Sequence, residues 1–205
     1  SKVWPPAGPP EAEKGIAVIG MAGSFARSPN LQTFWENLKS GKDMITEIPL
    51  DHFDWRPWYD ENRDAANKTY CKWGSFIEVD KFDPVFFGIT PREAVWLDPQ
   101  FRVLLEVIHA SVEEAGYGRK IQGTTTGVFV GVCYHDYWDE IVRTQTAMVD
   151  YQSLSSFYCS IPGRLSYIYD LHGMSVPVDN ACASSLTAMP HVNVSPDALR
   201  GTPMI

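Results

Sequence analysis

Apolar side chains recur every three to four residues in two stretches of the chain, and this spacing predicts two amphipathic helices. The first covers residues 31–38, with Ser28 as its cap and Gly41 at its end. The second opens with a threonine-proline-arginine-glutamate capping box, restarts after Asp98 and ends before Gly116. The apolar stripe of this second helix, which we expect to face the core, consists of Leu97, Phe101, Leu104, Leu105, Ile108, Val112 and Ala115.

Short apolar runs predict buried strands at residues 16–19 and 127–132, and a third, shorter strand at residues 175–178. Residues 155–171 are expected to be mostly helical. Pro177 cannot donate to a strand ladder, so the third strand is expected at an edge of the sheet. Strands that alternate with helices predict an α/β layered domain with a mixed, largely parallel sheet.

Two segments follow neither period. Residues 1–14 contain four prolines, a composition typical of an extended linker, so the packed structure is expected to begin at residue 15. Residues 50–75 are rich in aromatic and turn-forming residues. We expect a long surface loop whose rings pack down on the body; the alternative, a platform on which nucleic-acid bases stack, requires a favourable charge.

Composition excludes several classes of partner. The 205-residue chain is 44% apolar and 20% charged, which fits one ordinary globular domain, and its formal net charge of −8 opposes binding to nucleic acid. No apolar run approaches the roughly 18 residues of a membrane span, and the first residues do not resemble a signal peptide. The four cysteines form no C-x-x-C pair, which favours reduced thiols over disulfides or zinc. We therefore expect a soluble, cytoplasmic protein without membrane or nucleic-acid partners.

One cysteine stands in a setting that suits a nucleophile. Cys182 follows the third predicted strand and a short turn, and the helix expected over residues 183–188 would hold its sulfur in the first turn. The N–H groups at that end would favour the thiolate and could face an oxyanion when the sulfur attacks a carbonyl. The competing interpretation is a small buried hydrophobe. That interpretation is our expectation for the other three cysteines, Cys71, Cys133 and Cys159.

The segment around this cysteine resembles a known active-site motif. It reads Val178-Asp179-Asn180-Ala181-Cys182-Ala183-Ser184-Ser185-Leu186, and it resembles the Asp-Thr-Ala-Cys-Ser-Ser-Ser-Leu motif of the β-ketoacyl synthase domains of modular polyketide synthases. Other segments resemble the same family in the same order, with residues 70–77 leaning toward assembly lines served by separate acyltransferases. These segments are residues 16–22, 82–94, 97–102, 127–131, 164–167 and 171–173.

The resemblance implies a fold and a reaction. The family fold is thiolase-like, with five αβαβα layers, and residues 15–188 resemble its N-terminal half only. In the family, the cysteine accepts an acyl chain from the phosphopantetheine arm of an acyl carrier protein, and a malonyl-type extender then decarboxylates and attacks that acyl group. Carried over, Cys182 is the acyl acceptor and its own backbone N–H is an oxyanion donor. No cofactor is bound directly, and the full domain is a homodimer.

The same resemblance indicates what this chain lacks. Two histidines and a lysine complete the family site, the histidines in His-Gly-Thr-Gly-Thr and Asn-x-Gly-His contexts, and neither context occurs here. We therefore expect an acyltransferase of the 3-oxoacyl-carrier-protein synthase type that is incomplete alone: condensation fails, while transfer onto Cys182 stays feasible. The five histidines present match neither context; they are His52, His109, His135, His172 and His191.

The chain also departs from the family pattern in places. After Ala188 the expected helix is stopped by Met189-Pro190, so residues 189–205 read as a truncated or rejoined tail. The alternatives are a non-catalytic module that binds carrier protein or a partner chain with Cys182 buried, and a half-domain that exposes the apolar face meant for its other half. Single departures are Asn180, Ala183, Gly163 and Phe101, and candidate basic contacts for an acidic carrier protein are Arg27, Arg92 and Arg102.

Overall fold

The structure of the chain is a computed structural model that describes residues 17–134, 136–144 and 157–189. Short 3₁₀ turns lie at Arg56–Trp58, Gly118–Ile121 and Ala181–Ala183. The predicted linker (residues 1–14) and the tail beyond Met189 fall outside the described residues. In chain order, the helices and strands are α1 (Leu31–Lys39), β1 (Thr46–Glu47), β2 (Trp73–Gly74), α2 (Pro91–Ala94), α3 (Pro99–Glu114), β3 (Val128–Gly131), α4 (Asp136–Thr144), α5 (Ser160–Ile168), β4 (Ser175–Val178) and α6 (Ser184–Ala188).

Helix α3 supplies one wall of the hydrophobic core, as its apolar stripe predicts. Local signals set both ends: the Asp98 carboxylate accepts a hydrogen bond from the Gln100 N–H at 2.8 Å, and Gly116 follows the helix with a φ of 73°. The capping threonine ahead of α2 also behaves as expected, because Thr90 Oγ1 accepts from the Glu93 N–H. The buried stripe of α3 is Phe101, Leu105, Ile108 and Val112.

Strands β3 and β4 form a parallel pair that carries the candidate site. Gly131 lies opposite Val178, and Pro177 lies opposite Val130. Both strands contact α5 and α6, while Val128, Val130 and Leu165 join the core that α3 lines. The predicted strands at 127–132 and 175–178 are therefore confirmed.

The predicted helix α1 is also confirmed, but the prediction of Ser28 as its N-terminal cap is wrong. The side chain of Asn30, not Ser28, accepts the Thr33 N–H at 2.9 Å. Ser28 is buried in the preceding turn, where its hydroxyl donates to the Ala26 carbonyl and accepts from the Asn37 amide. Because that hydroxyl is already used, the next small polar residue caps the helix.

The predicted buried strand at residues 16–19 is wrong for the residues described, 17–19, which form no strand; Val18 is 75% exposed. A short apolar run becomes a buried strand only where a neighbouring strand offers its backbone groups. Here the segment lies along the end of α3 instead: the Met21 N–H donates to Glu114, and Gly20 approaches the Ser111 carbonyl so closely that a Cβ would be 2.5 Å away.

The aromatic segment at residues 50–75 is mostly irregular, as expected, but none of its rings belongs to the hydrophobic core. Strands β1 and β2 pair antiparallel at its ends. Lys72 lies between them and the rings, with its ammonium 4.9 Å from the Trp55 ring, 5.2 Å from the Tyr59 ring and 3.2 Å from Glu47. Some of the rings therefore gather around a lysine, since a cation and an aromatic face attract each other.

The helix expected over residues 155–171 is observed as α5, with residues 155 and 156 outside the described part. Helix α4 is absent from the sequence prediction, although Tyr137, Trp138, Ile141 and Val142 recur at a helical spacing; of these, Ile141 is buried. Of the helices that the structure describes, none combines the length and the apolar character that crossing a membrane requires.

Candidate active site

The candidate nucleophile lies at the carboxyl ends of the parallel strands. Cys182 comes four residues after β4 ends at Val178, and its side chain is exposed. Ligands of α/β sheets bind at this edge, because loops and helix starts converge there. The competing interpretation, a small buried hydrophobe, does not fit the exposed position of Cys182.

A sharp turn precedes the sulfur. Ala181 has a φ of 47°, a left-handed conformation that a residue with a side chain seldom adopts. The 3₁₀ turn Ala181–Ala183 follows, and α6 begins only at Ser184. The sequence predicts that the sulfur lies in the first turn of the helix. In the structure, Cys182 lies in the 3₁₀ turn before α6, because the left-handed conformation of Ala181 prevents a regular helix from beginning earlier.

Hydrogen bonds fix this turn from within. Ser184, only 4% exposed, accepts the Asn180 N–H at 2.9 Å and donates to the Ala181 carbonyl at 2.7 Å. The Asn180 side chain donates to Thr187 at 3.1 Å, and the Ala181 N–H donates to Asp179 at 3.2 Å. Sequence reasoning missed Ser184; the available signal is a serine three residues after Ala181, a spacing at which its hydroxyl can reach back to the Ala181 carbonyl.

Gly131 allows α6 to lie on the end of β3. A Cβ at this position would be 2.6 Å from the Ser185 nitrogen and 2.8 Å from the Ser184 carbonyl carbon. Both atoms belong to backbone, which cannot swing aside as a flexible side chain can. The absence of a side chain at Gly131 therefore sets the position of the helix that follows Cys182.

A tyrosine and a second cysteine share this edge. The Tyr158 hydroxyl donates to the Cys133 carbonyl at 3.0 Å, which joins the start of α5 to the segment after β3. Partial burial raises the pKa of Tyr158, and the negative charge of Asp179 raises it further. The phenol consequently stays neutral at physiological pH and can act as a hydrogen-bond donor.

The three described histidines lie in other parts of the molecule. The imidazole of His172 is 3.3 Å from the Asp170 carboxylate, and the backbone N–H of His172 donates to the Thr124 carbonyl. His172 therefore lies near the start of β4, at the opposite edge from Cys182. His109, on α3, packs edge-on against Phe86 at 4.8 Å, and His52 packs edge-on against Phe76. His135 and His191 lie outside the described residues.

The other cysteines differ from the expectation of burial, which is wrong for all three. Cys71 and Cys159 are exposed and Cys133 is half-buried. Cys71 belongs to the irregular aromatic segment and Cys159 precedes α5 at the surface, so neither contributes a side chain to the core. All four are free thiols.

Of the three arginines predicted as contacts for an acidic carrier protein, two are exposed and one is half-buried. Arg27 and Arg92 are exposed, whereas Arg102 is half-buried beside the Tyr137 ring, with its Nε buried and unpartnered within the described residues. Arg102 is therefore a poor surface contact. In the described part of the chain, no three His, Cys, Asp or Glu side chains gather as a metal site would require.

Relatives and solved structures agree with this geometry. The family model for the N-terminal domain of β-ketoacyl synthase matches residues 13–194. The chain is 44% identical to polyketide synthase PksL of Bacillus subtilis over 187 residues, covering 85% of this chain and 4% of that protein. It is likewise 44% identical to polyketide synthase ThaG of Burkholderia thailandensis, covering 90% of this chain and 3% of that protein.

Two solved ketosynthases have the same fold. An oxazolomycin ketosynthase domain from Streptomyces albus matches with a TM-score of 0.74 and 38% identity, over 84% of this chain and 30% of that one. The ketosynthase of module 6 of the Bacillus subtilis bacillaene synthase matches with a TM-score of 0.74 and 29% identity, over 84% and 28%. The predicted thiolase-like fold class is therefore confirmed, and the chain spans under a third of each ketosynthase that it resembles. The chain belongs to the β-ketoacyl synthase family of polyketide synthases and corresponds to part of the N-terminal domain of a ketosynthase.

Proposed function

We propose that this chain carries the acyl-accepting site of a β-ketoacyl synthase of polyketide biosynthesis, with Cys182 as the nucleophile. The observation that supports it is the exposed Cys182 sulfur on a sharp turn at the carboxyl edge of the β3–β4 pair. A cysteine kept only for packing has no need of an exposed position or of a left-handed residue before it.

The first chemical step is an acyl transfer. The Cys182 thiolate attacks the carbonyl carbon of a thioester, a new carbon–sulfur bond forms, and the tetrahedral intermediate carries its negative charge on oxygen. The old carbon–sulfur bond then breaks, and the pantetheine thiolate leaves and takes up a proton. The Cys182 N–H, which has no acceptor among the described residues, supports a role as one donor to the oxyanion.

The second step requires more of the protein than this chain contains. In the complete enzyme, a malonyl-type extender loses carbon dioxide and its carbanion attacks the acyl group held on Cys182. The histidine contexts that the family uses for this step do not occur in the sequence. The 205 residues alone therefore accept an acyl group but do not condense it.

The partners and the compartment follow from the same proposal. An acyl carrier protein presents acyl and malonyl-type thioesters on its phosphopantetheine arm, the full domain forms a homodimer, and the chain itself binds no cofactor directly. The four free thiols support a reducing compartment, the cytoplasm. Residues 15–188 form the ketosynthase part, with residues 1–14 as a linker.

The test is the mass of the intact chain after incubation with a short acyl-pantetheine thioester. One acyl adduct is expected on the wild type and none on Cys182→Ala. Cys159→Ala is the matched control, since Cys159 is also an exposed free thiol and its loss leaves the adduct in place. An adduct that persists in Cys182→Ala, or that never forms on folded wild type, contradicts the proposal.

A second candidate function is a non-catalytic interaction module. The observation that favours it is the number of large apolar side chains left exposed near the two strands, such as Tyr167 on α5 and Leu186 on α6. Such side chains mark surfaces that pack against another chain or segment. Folded wild-type chain that takes no acyl group but binds acyl carrier protein would select this function instead.

A further inference from the structure

We propose that Ser184 is a positioning residue, whose buried hydroxyl aims the backbone N–H of Cys182 toward the oxygen of the acyl carbonyl. This inference rests on the proposed acyl transfer and adds to it a residue that touches neither the substrate nor the sulfur. It concerns one peptide unit, the bond between Ala181 and Cys182, and the hydrogen bonds that hold it.

The geometry of that peptide unit carries the argument. Ser184 Oγ donates to the Ala181 carbonyl at 2.7 Å, and this carbonyl belongs to the same peptide unit as the Cys182 N–H. Because a trans peptide is planar, its C=O and N–H point in opposite directions. With the carbonyl drawn toward a side chain that is 4% exposed, the Cys182 N–H points away from the interior. The N–H of the exposed residue that carries the sulfur is thereby left free to donate.

The same hydroxyl also holds a second peptide unit, the one between Asp179 and Asn180. Ser184 Oγ accepts the Asn180 N–H at 2.9 Å, so one atom joins the peptide before Asn180 to the peptide after Ala181. Ala181 has a φ of 47°, and alanine has no polar side chain that could support this conformation locally. The Ala181 carbonyl also accepts the backbone N–H of Ser184. Without the hydroxyl, that bond alone holds the carbonyl, and we expect the turn to relax and the Cys182 N–H to rotate.

Ser184 itself is held in place by its surroundings. Its carbonyl carbon packs against Gly131 at the end of β3, and α6 contacts both strands of the parallel pair. The two hydrogen bonds of the Ser184 hydroxyl, which we call the Ser184 clamp, are therefore anchored to the sheet. This fixed position is what preorganisation of an oxyanion donor requires.

The test compares two substitutions of equal shape in the full chain. Ser184→Thr keeps the hydroxyl and Ser184→Val replaces it with a methyl group, so both add the same volume to a buried position. Acyl transfer from a short acyl-pantetheine thioester is expected to slow at least about tenfold in Ser184→Val, in kcat rather than KM, because the lost interaction acts in the transition state. Ser184→Thr is expected to stay close to wild type.

Alkylation of Cys182 by iodoacetamide separates positioning from general damage. This reaction displaces iodide and creates no oxyanion, so its rate should change by less than about twofold in both variants. Ser185→Val, the same substitution at the neighbouring exposed serine, is the control for both reactions. Equal acylation of Ser184→Val and Ser184→Thr, or an equal loss of acylation and alkylation in Ser184→Val, overturns the proposal.

A second measurement keeps the inference distinct from the proposed function. If the folded wild type takes no acyl group, the proposed function fails. The Ser184 clamp can then still be tested by backbone amide exchange measured by NMR. The Asn180 amide is expected to keep its protection in Ser184→Thr and to lose it in Ser184→Val. Equal protection of that amide in the two variants shows that the hydroxyl does not hold the turn.

Discussion

At the scale of single residues, Tyr169 buries a hydroxyl without a hydrogen bond. It is 9% exposed, and its phenolic oxygen has no partner in the part of the chain that the structure describes. An unpaired buried polar group costs free energy that an apolar group of the same shape does not. Tyr169→Phe is therefore expected to raise the free energy of unfolding by about 1 kcal/mol, measured by urea denaturation. Tyr167→Phe, on an exposed ring of α5 two residues earlier, should change the free energy of unfolding little. A loss of stability in Tyr169→Phe contradicts the assignment.

The same residue predicts a decline in stability at alkaline pH. Burial raises the pKa of Tyr169 to about 12 from its ordinary 10.0, and the charge of Glu113 adds to the effect. Below pH 10 both folded and unfolded states hold the proton; as the pH rises from about 10 to about 12, only the unfolded state releases it, so stability falls. Tyr169→Phe should lose less unfolding free energy over this window than the wild type. Parallel curves for the two proteins above about pH 10 would show that Tyr169 does not contribute.

Gly131 is the residue at which a single methyl group should disturb the site. A Cβ there would lie 2.6 Å from the Ser185 nitrogen, so α6 must move away from β3 and carry the Cys182 turn with it. Gly131→Ala is expected to slow acyl-adduct formation about tenfold or more, because displacement of about 1 Å already disturbs a reacting geometry. The control is Gly163→Ala: Gly163 lies within α5 with nothing within 4 Å of its Cβ position, and alanine should stabilise that helix. Equal adduct rates in the two variants would contradict this account.

At the scale of elements, one ion pair connects α2 to α5. Glu93 and Arg164 are in contact and each side chain is 28% exposed, while the Arg164 guanidinium lies 5.9 Å from the Phe101 ring on α3. Three helices therefore meet at one arginine. Glu93→Gln is expected to reduce the free energy of unfolding by about 1–2 kcal/mol, since it leaves a partly buried cation without its anion.

The matched control for this pair is another glutamate in an ion pair. Glu78 contacts Lys81 at 2.8 Å, but those side chains are 77% and 74% exposed. Glu78→Gln should leave the free energy of unfolding close to that of the wild type, because solvent already screens the pair. Thermal and urea denaturation of the two variants side by side give the comparison. Similar effects of the two substitutions would show that burial of the Glu93 pair contributes nothing.

Elements with local signals are predictable from this sequence, and those that depend on distant partners are not. Helix α3 has its cap at Asp98, its stripe and its terminal glycine within one stretch, and the structure agrees. The run at residues 16–19 has the composition of a strand, but whether it pairs is decided by strands elsewhere, which the local pattern does not contain. The packing of the aromatic rings at residues 50–75 is not predictable for the same reason, because the contact between Trp55 and Lys72 joins residues far apart in the chain.

The candidate site follows the same division. Cys182 can be found from the sequence because a strand, a turn and small residues surround it, and the chemistry of a nucleophile demands that setting. Ser184 and Gly131 cannot be assigned that way. The role of Ser184 depends on the left-handed conformation of Ala181, and that of Gly131 on a helix packed across a strand end about 50 residues away in the chain. These groups come together only in the folded chain.

At the scale of the whole molecule, the exposed apolar side chains are the feature that the fold leaves unexplained. The core joins α3, β3 and α5, yet several large apolar residues on other surfaces stay open to solvent. The solved ketosynthases that match are more than three times as long as the aligned part. Among the described residues, those most exposed are Val18, Val85, Tyr167, Met174, Leu186 and Met189.

This surface predicts how the isolated chain behaves in solution. Exposed apolar patches favour association, whereas the net charge of −8 opposes it, and salt weakens only the second effect. Association of the 205-residue chain is therefore expected to increase with protein concentration and to increase further at high salt, measured by sedimentation velocity. Leu38→Lys, an exposed position on α1, should reduce association without lowering the free energy of unfolding. A single monomeric species at every concentration and salt would mean that the exposed side chains do not form an association surface, and that the chain is a self-sufficient unit.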